Sequence, residues 1–213
     1  MPQYNLADFF HQFKLLFYKK HEVILRADTF PHGVSYLQKG YVRDYAISRN
    51  GEELSLIIFK PGDFFPLQWA LNDKHEAHNL EAMTPVELYR APKEQFTSYL
   101  RQHPEVFLNS TYEIVTRMGG LMDRMEHLVF GNAYERVASI LYILAERFGH
   151  KDKSTMIIPI PLAHRSIAAL VGMTRETVSV EMKKLQEKDI IRADGRFIHI
   201  TDIDKLQKES LIE

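Results

Sequence analysis

The order of patterns along the chain predicts an α+β fold: a run of short strands, then helices, then one small hairpin. Three observations carry this. Between Glu22 and Arg90, short apolar or alternating runs are punctuated by Gly33, Gly40, Asn50-Gly51 and Gly62, which reads as an antiparallel β-roll. From His103 to about Leu128, apolar residues recur at helical spacing. Beyond Ala163, a helix, a glycine turn and a second helix precede strand–turn–strand, the order of a winged helix-turn-helix. The expected divisions are residues 1–102 for the roll, 103–131 for a long helix and 132–213 for the winged domain.

The elements follow in order. Phe9, Phe10, Phe13, Leu16 and Phe17 predict an amphipathic helix from about Ala7 to Tyr18. Val23-Ile24-Leu25, Val34 to Leu37, Tyr41 to Ile47, Leu54 to Phe59 and Val86 to Tyr89 read as strands, and Asn50-Gly51 signals a two-residue hairpin turn. On the long helix, Phe107, Ile114, Met118, Leu121, Met125 and Leu128 form a heptad-like seam, which predicts pairing with a second copy rather than packing on the roll. Gly119-Gly120 interrupts that helix; two interior glycines cost about 2 kcal/mol relative to alanine, offset by a close helix crossing or by a required bend. Ala133 to Phe148 is a further helix, His150 to Ser154 a polar loop and Met156 to Pro161 a strand ending in a turn. Arg192 to Ile200 is a wing, and Asp204 to Glu213 a frayed helical tail.

Composition narrows the function classes. The chain has 213 residues, 45% of them hydrophobic, enough for real cores, and no cysteine, which excludes disulfides and thiolate-held metals or clusters. The first residues lack the basic and apolar regions of a signal peptide, and no run approaches a membrane span, so a cytoplasmic protein is expected. Net charge is −1, but residues 151–196 hold nine Lys/Arg against six Asp/Glu, while the remainder holds 18 against 22. A modestly basic module is therefore joined to an acidic body.

The helix pair carries the chemistry. Ile167, Leu170 and Val171 face inward on the first helix, Gly172 ends it in a left-handed turn, and Thr174 caps the second. Val178, Met182 and Leu185 bury the second helix, leaving Arg175, Glu176, Ser179 and Lys183 outward. Arginine donates two bonds to guanine O6 and N7, and glutamate accepts from cytosine N4. Thr174, Thr177, Lys183, Lys184 and the wing residue Arg196 suit phosphate oxygens, which position without specifying.

Lys60-Pro61-Gly62-Asp63-Phe64, Arg136-Val137-Ala138 and Gly172-Met173-Thr174-Arg175-Glu176-Thr177-Val178-Ser179 resemble the Crp/Fnr family of bacterial transcription regulators, over nearly the whole chain. The resemblance implies a cyclic-nucleotide-binding-domain-like jelly roll, a dimerisation helix and a winged helix that binds near-palindromic operators and contacts RNA polymerase. It also implies that the roll sets the spacing of two recognition helices through the long helix and a hinge near Gly131-Asn132. It assigns base reading to Arg175, Glu176 and Ser179. Where many members carry a further arginine, this chain has Val180, which offers only apolar contact, such as with a thymine methyl, so a variant operator is expected.

The family's cyclic-nucleotide pocket is dismantled. Leu67 stands at the ribose-binding glutamate, Ala77-His78 at the phosphate-binding Arg-Ser pair and Leu121-Met122 at the adenine contacts, so no cyclic nucleotide is expected. Gln68 replaces the pocket histidine of the haem branch, although Pro2 is present. No cofactor is expected. Phe64, Phe65, Leu67, Trp69 and Leu71, with Leu121 and Met122, are apolar, consistent either with a small apolar effector or with a filled core and constitutive activity. His75, His78 and Glu81 have metal-like spacing, but a solvated loop is the favoured reading. The competing classes are a cupin-like β-roll metalloenzyme, disfavoured because no His-x-His occurs, and an interaction dimer that binds no DNA. With no nucleophile–base constellation evident, catalysis is not expected.

Overall fold

The structure, a computed structural model, describes residues 6–74, 77–152, 155–195 and 197–212. Pro2, His75 and Arg196 lie outside the described residues. The chain forms two compact units, Met1–Ile47 with Leu56–Met118, and Ser48–Ser55 with Gly119–Glu213. The division thus falls inside the long helix, at Met118/Gly119, rather than at either end of it. It also assigns one hairpin tip to the second unit.

The first unit contains α1 (Leu6–His11), β1 (Leu15–Tyr18), β2 (Val23–Leu25), β3 (Val34–Lys39), β4 (Val42–Ile47) and most of β5 (Glu53–Phe59). It continues through β6 (Phe64–Phe65), α2 (Leu67–Asn72), β7 (Asn79–Ala82), β8 (Val86–Ala91), α3 (Lys93–Gln102) and the first half of α4 (Pro104–Phe130). Its two four-stranded sheets run β1-β8-β3-β6 and β2-β7-β4-β5. Successive strand residues face opposite sides, so adjacent phenylalanines separate. Phe64 joins Phe9, Phe10, Val34 and Phe96 in one core, and Phe65 joins Leu37, Phe59, Leu80 and Leu88 in another.

Several expectations are corrected. The first helix stops at His11, because Leu15–Tyr18 pairs with β8 and satisfies its backbone there. The hairpin after β4 has five residues, Ser48 to Glu52, rather than two: the Ser48 hydroxyl accepts from the Asn50 and Glu52 N–H groups and holds a wider turn. Ala77 and His78 lie in a loop as expected, but Asn79 to Glu81 belong to β7, with Glu81 bonded to Arg43 at 3.0 Å and to His21 at 3.2 Å. His78 lies 3.3 Å from Asp44 instead of turning towards Glu81. Leu67–Asn72 and Lys93–Gln102 form helices where only strands and loops were expected.

The second unit contains the rest of α4, α5 (Ala133–Phe148), β9 (His150–Asp152), β10 (Thr155–Ile158), α6 (His164–Val171), α7 (Arg175–Glu187), β11 (Ile191–Asp194), β12 (Phe197–Ile200) and α8 (Ile203–Lys208). Its sheet runs β11-β12-β10-β9, so part of the expected polar loop pairs as a strand. A capping box starts α5: the Asn132 side chain accepts from the Glu135 N–H, and the Glu135 carboxylate accepts from the Asn132 N–H. A β-carbon at Gly131 would come within 2.7 Å of the His127 carbonyl oxygen, so glycine is required there by close approach. The C-terminal tail is not frayed. Asp202 caps α8, Leu206 is fully buried, and the Leu211 N–H donates to the Ser139 hydroxyl on α5 at 3.0 Å.

Along α4, Tyr112 and Phe130 are more than half exposed, and so are Leu108, Val115, Met118, Met122, Met125 and Val129. The spacings of the last six, seven, three, four, three and four, make a heptad stripe. Of the expected seam, Met118 and Met125 lie in this stripe, Phe107 and Leu121 are also exposed, and Ile114 and Leu128 are half-buried. Leu128 turns towards its own unit, facing Ile140, Ile143 and Leu170. α4 runs unbroken through Gly119 and Gly120, and a β-carbon at either would meet no described atom within 4 Å. Among the described residues, no helix is long and apolar enough to cross a membrane. Because Leu206 is core, Leu206→Ala should destabilise the protein by about 2–5 kcal/mol in chemical denaturation, whereas a frayed tail would give almost no change.

Candidate DNA interface

The geometry of α6 and α7 follows from one turn. Gly172 adopts φ 62°, ψ 42°, and the Gly172 and Met173 N–H groups both donate to the Ala168 carbonyl, closing α6. Thr174 then starts α7 in an extended conformation, with its hydroxyl accepting from the Thr177 N–H at 3.2 Å. Ile167, Leu170 and Val171 of α6 and Val178, Met182 and Leu185 of α7 are all buried. The two helices are therefore locked as one piece, and the other face of α7 is left outside.

That outer face holds Arg175, Glu176, Ser179, Val180 and Lys183, all exposed. Its charges fall into two groups. Lys184 is drawn to the buried Glu181 carboxylate at 2.7 Å, and Lys183 lies 3.6 Å from Glu187. Among the described residues, Arg175 and Glu176 have no ionic or hydrogen-bonded side-chain partner. The C-terminal half of α7 is thus largely self-neutralised, while its first turn presents one free guanidinium and one free carboxylate. Thr174 and Thr177 bond each other through their hydroxyls at 2.9 Å, so their first role is to shape the helix start. The wing follows, with β11 and β12 paired and Gly195 in the left-handed region at φ 59°.

A helix-turn-helix with an exposed reading face and a wing is a DNA-binding head. Residues 135–209 match the model of the Crp-like helix-turn-helix domain, and residues 15–103 match that of the cyclic nucleotide-binding domain. The global nitrogen regulator of Nostoc sp. is 30% identical over 160 residues, covering 74% of this chain and 72% of that protein. The chain belongs to the Crp/Fnr family of transcription regulators. As a Crp/Fnr regulator it also resembles the CRP-like cAMP-activated global transcriptional regulator of Mycobacterium tuberculosis, 25% identical over 161 residues, covering 76% of this chain and 72% of that one. Two solved structures share its fold: CooA from Carboxydothermus hydrogenoformans, in a mutant form (24% identity, 98% and 91% coverage, TM-score 0.79), and FixK2 from Bradyrhizobium japonicum (22% identity, 94% and 98% coverage, TM-score 0.82).

In this Crp/Fnr chain the Lys60-to-Phe64 motif has a structural task. The Asp63 carboxylate accepts from the Lys60 N–H at 2.8 Å and from the Arg117 guanidinium on α4, while Leu37 exchanges backbone bonds with Gly62 and Asp63. The motif is a turn that also ties the first half of α4 to the roll. The residues expected to line an effector pocket fall in both units. Phe64 and Phe65 each fill a separate core, Leu67 and Trp69 pack half-buried against the Phe64 core, and Leu121 and Met122 are exposed on the second unit.

Two residues escaped the sequence reading. Arg165 on α6 is exposed, a basic group beside the reading helix, and 4.0 Å from Glu53. Arg124 on α4 is buried, and its guanidinium donates to the Ser55 and Leu170 carbonyls; desolvation holds its pKa down at about 10. Its only sequence signal was an arginine among the apolar positions of a helix. Thr174→Ala should cost about 1 kcal/mol through loss of the cap, and Thr174→Ser should restore it; chemical denaturation of both variants checks this.

Proposed function

We propose that the protein is a homodimeric regulator that reads a near-palindromic operator with one α7 from each copy. The observation that carries this reading is the free Arg175–Glu176 pair at the exposed start of a locked, capped recognition helix. In this reading Arg175 donates to a guanine edge, Glu176 accepts from cytosine N4, and Ser179 and Val180 face neighbouring bases. Lys183, Lys184, Arg196, Thr174 and Thr177 serve the phosphates. Of the two lysines, Lys183 is the more available, since Lys184 is held close to Glu181. The exposed stripe on α4 supports the second copy as partner. Family membership supports RNA polymerase as the next partner in the assembly.

Control is proposed to be independent of cyclic nucleotides, unlike the cAMP-activated relative in Mycobacterium tuberculosis. No arginine lies between Lys60 and Tyr89 to pair a cyclic phosphate, and a buried phosphate without a cationic partner is poorly compensated. Control by an effector of another chemistry is favoured, as the chain joins a cyclic-nucleotide-binding-type roll to a Crp-like helix-turn-helix.

The test uses a duplex recovered by selection from a random DNA pool. Arg175→Ala and Glu176→Ala should each lose about 1–3 kcal/mol on that duplex and relax preference at one position per half-site. Lys183→Ala should weaken all sequences alike and lower the salt slope by about 1. Cyclic AMP should leave the parent's affinity unchanged. Unaltered affinity and preference in both reading-head variants would overturn the assignment, and cAMP-dependent binding would overturn the proposed control.

A further inference from the structure

We infer that Arg124 is a positioning residue for DNA reading: it fastens the C-terminal end of α6 to the β4–β5 hairpin tip and so sets where the recognition helix begins. The inference rests on the DNA-reading role just proposed for α7.

The chemistry starts with an unmet need. The last carbonyls of a helix have no intrahelical partner, and the partial negative charge there favours a cation. Leu170 is in the last turn of α6, two residues before the Gly172 turn that opens α7. Arg124 donates to that carbonyl from the second half of α4. The same guanidinium nitrogen donates to the Ser55 carbonyl. Both acceptors and the arginine belong to the second unit.

An arginine suits the post because its planar fork presents several donors in fixed directions, whereas an ammonium is a point charge. Burying it is unfavourable, as its depressed pKa shows, so the site is maintained against a desolvation cost. Ser55 does not act alone. Glu53 lies 4.0 Å from Arg165 of α6, and Leu54 Cδ1 would lie 4.0 Å from a β-carbon at Gly172. Three successive hairpin residues thus reach the helix-turn-helix, with Arg124 as the buried fastener. The hairpin is continuous in sequence with β4 and β5 of the roll, so a change in the course of those strands reaches α6 through Ser55 and Arg124.

The test compares full-length parent, Arg124→Met and Arg124→Lys on the selected duplex and in amide hydrogen exchange. Arg124→Met should weaken binding at least fivefold. Exchange should quicken in residues 48–56 and 166–174, while the cores around Phe64 and Phe65 keep the parent's protection. Arg124→Lys should fall between the two. Combining Arg124→Met with Leu54→Ala should weaken binding by less than the product of the two single effects, because both act on the junction of the hairpin with the end of α6. Parent-like affinity in a folded Arg124→Met protein would overturn the inference, as would a uniform rise in exchange or strict additivity with Leu54→Ala. If Arg124→Met fails to fold, an Arg124→Lys protein with full affinity and unchanged exchange in both segments would overturn it equally. A parent that binds no duplex would instead refute the DNA-reading role itself.

Discussion

The apolar stripe along α4 is the constraint on which the rest depends. Leu108, Val115, Met118, Met122, Met125 and Val129 stand in water in the single chain. Each side chain of this kind gains about 1.5–3 kcal/mol when buried. A heptad stripe on a long helix is best covered by a matching helix, and the proposed partner is a second copy. The stripe runs along a helix that both units share. Covering it would therefore fix, in one step, where two reading heads stand relative to a two-fold axis. Reading heads on a two-fold operator must match major grooves about 34 Å apart, and only a defined pairing of α4 provides that.

Either side of Gly119, α4 is held by an arginine. Arg117 reaches Asp63 in the first unit, and Arg124 reaches Ser55 and Leu170 in the second. The glycines between them meet no described neighbour within the chain, so no contact here explains their small size. They stand at the boundary of the two units. The family motif around Asp63 takes part in the same design, as an anchor for α4.

How much was legible in the sequence depended on whether the signal was local. The bounds of α5 and α6 and the start of α7 were legible, because Asn132, Gly172 and Thr174 are chemical punctuation that acts where it stands. The reading face was equally legible, since Val178, Met182 and Leu185 fix the buried side by spacing alone. Long-range effects were not legible. Leu15–Tyr18 has helical spacing with Phe13, yet pairing with β8 makes it a strand. The tail gains its order from Ser139 and α5, far away in the chain. Leu128, which spacing puts in the seam, is half-buried and faces Ile140, Ile143 and Leu170 of its own unit. Phe64 and Phe65 looked like pocket lining because adjacency in sequence hides the alternation of a strand. Arg124 left almost no trace, because the Ser55 and Leu170 groups it bonds are main-chain carbonyls, which any residue could supply.

The most direct measurement of the central claim is sedimentation equilibrium of the parent beside a Met118→Asp/Met122→Asp variant, each with and without the selected duplex. The account predicts a dimeric parent that binds the duplex as two copies per site. The variant should be a folded monomer that no longer retains it. A monomeric parent with full affinity would contradict the account, as would a variant that stays dimeric and binds as the parent does.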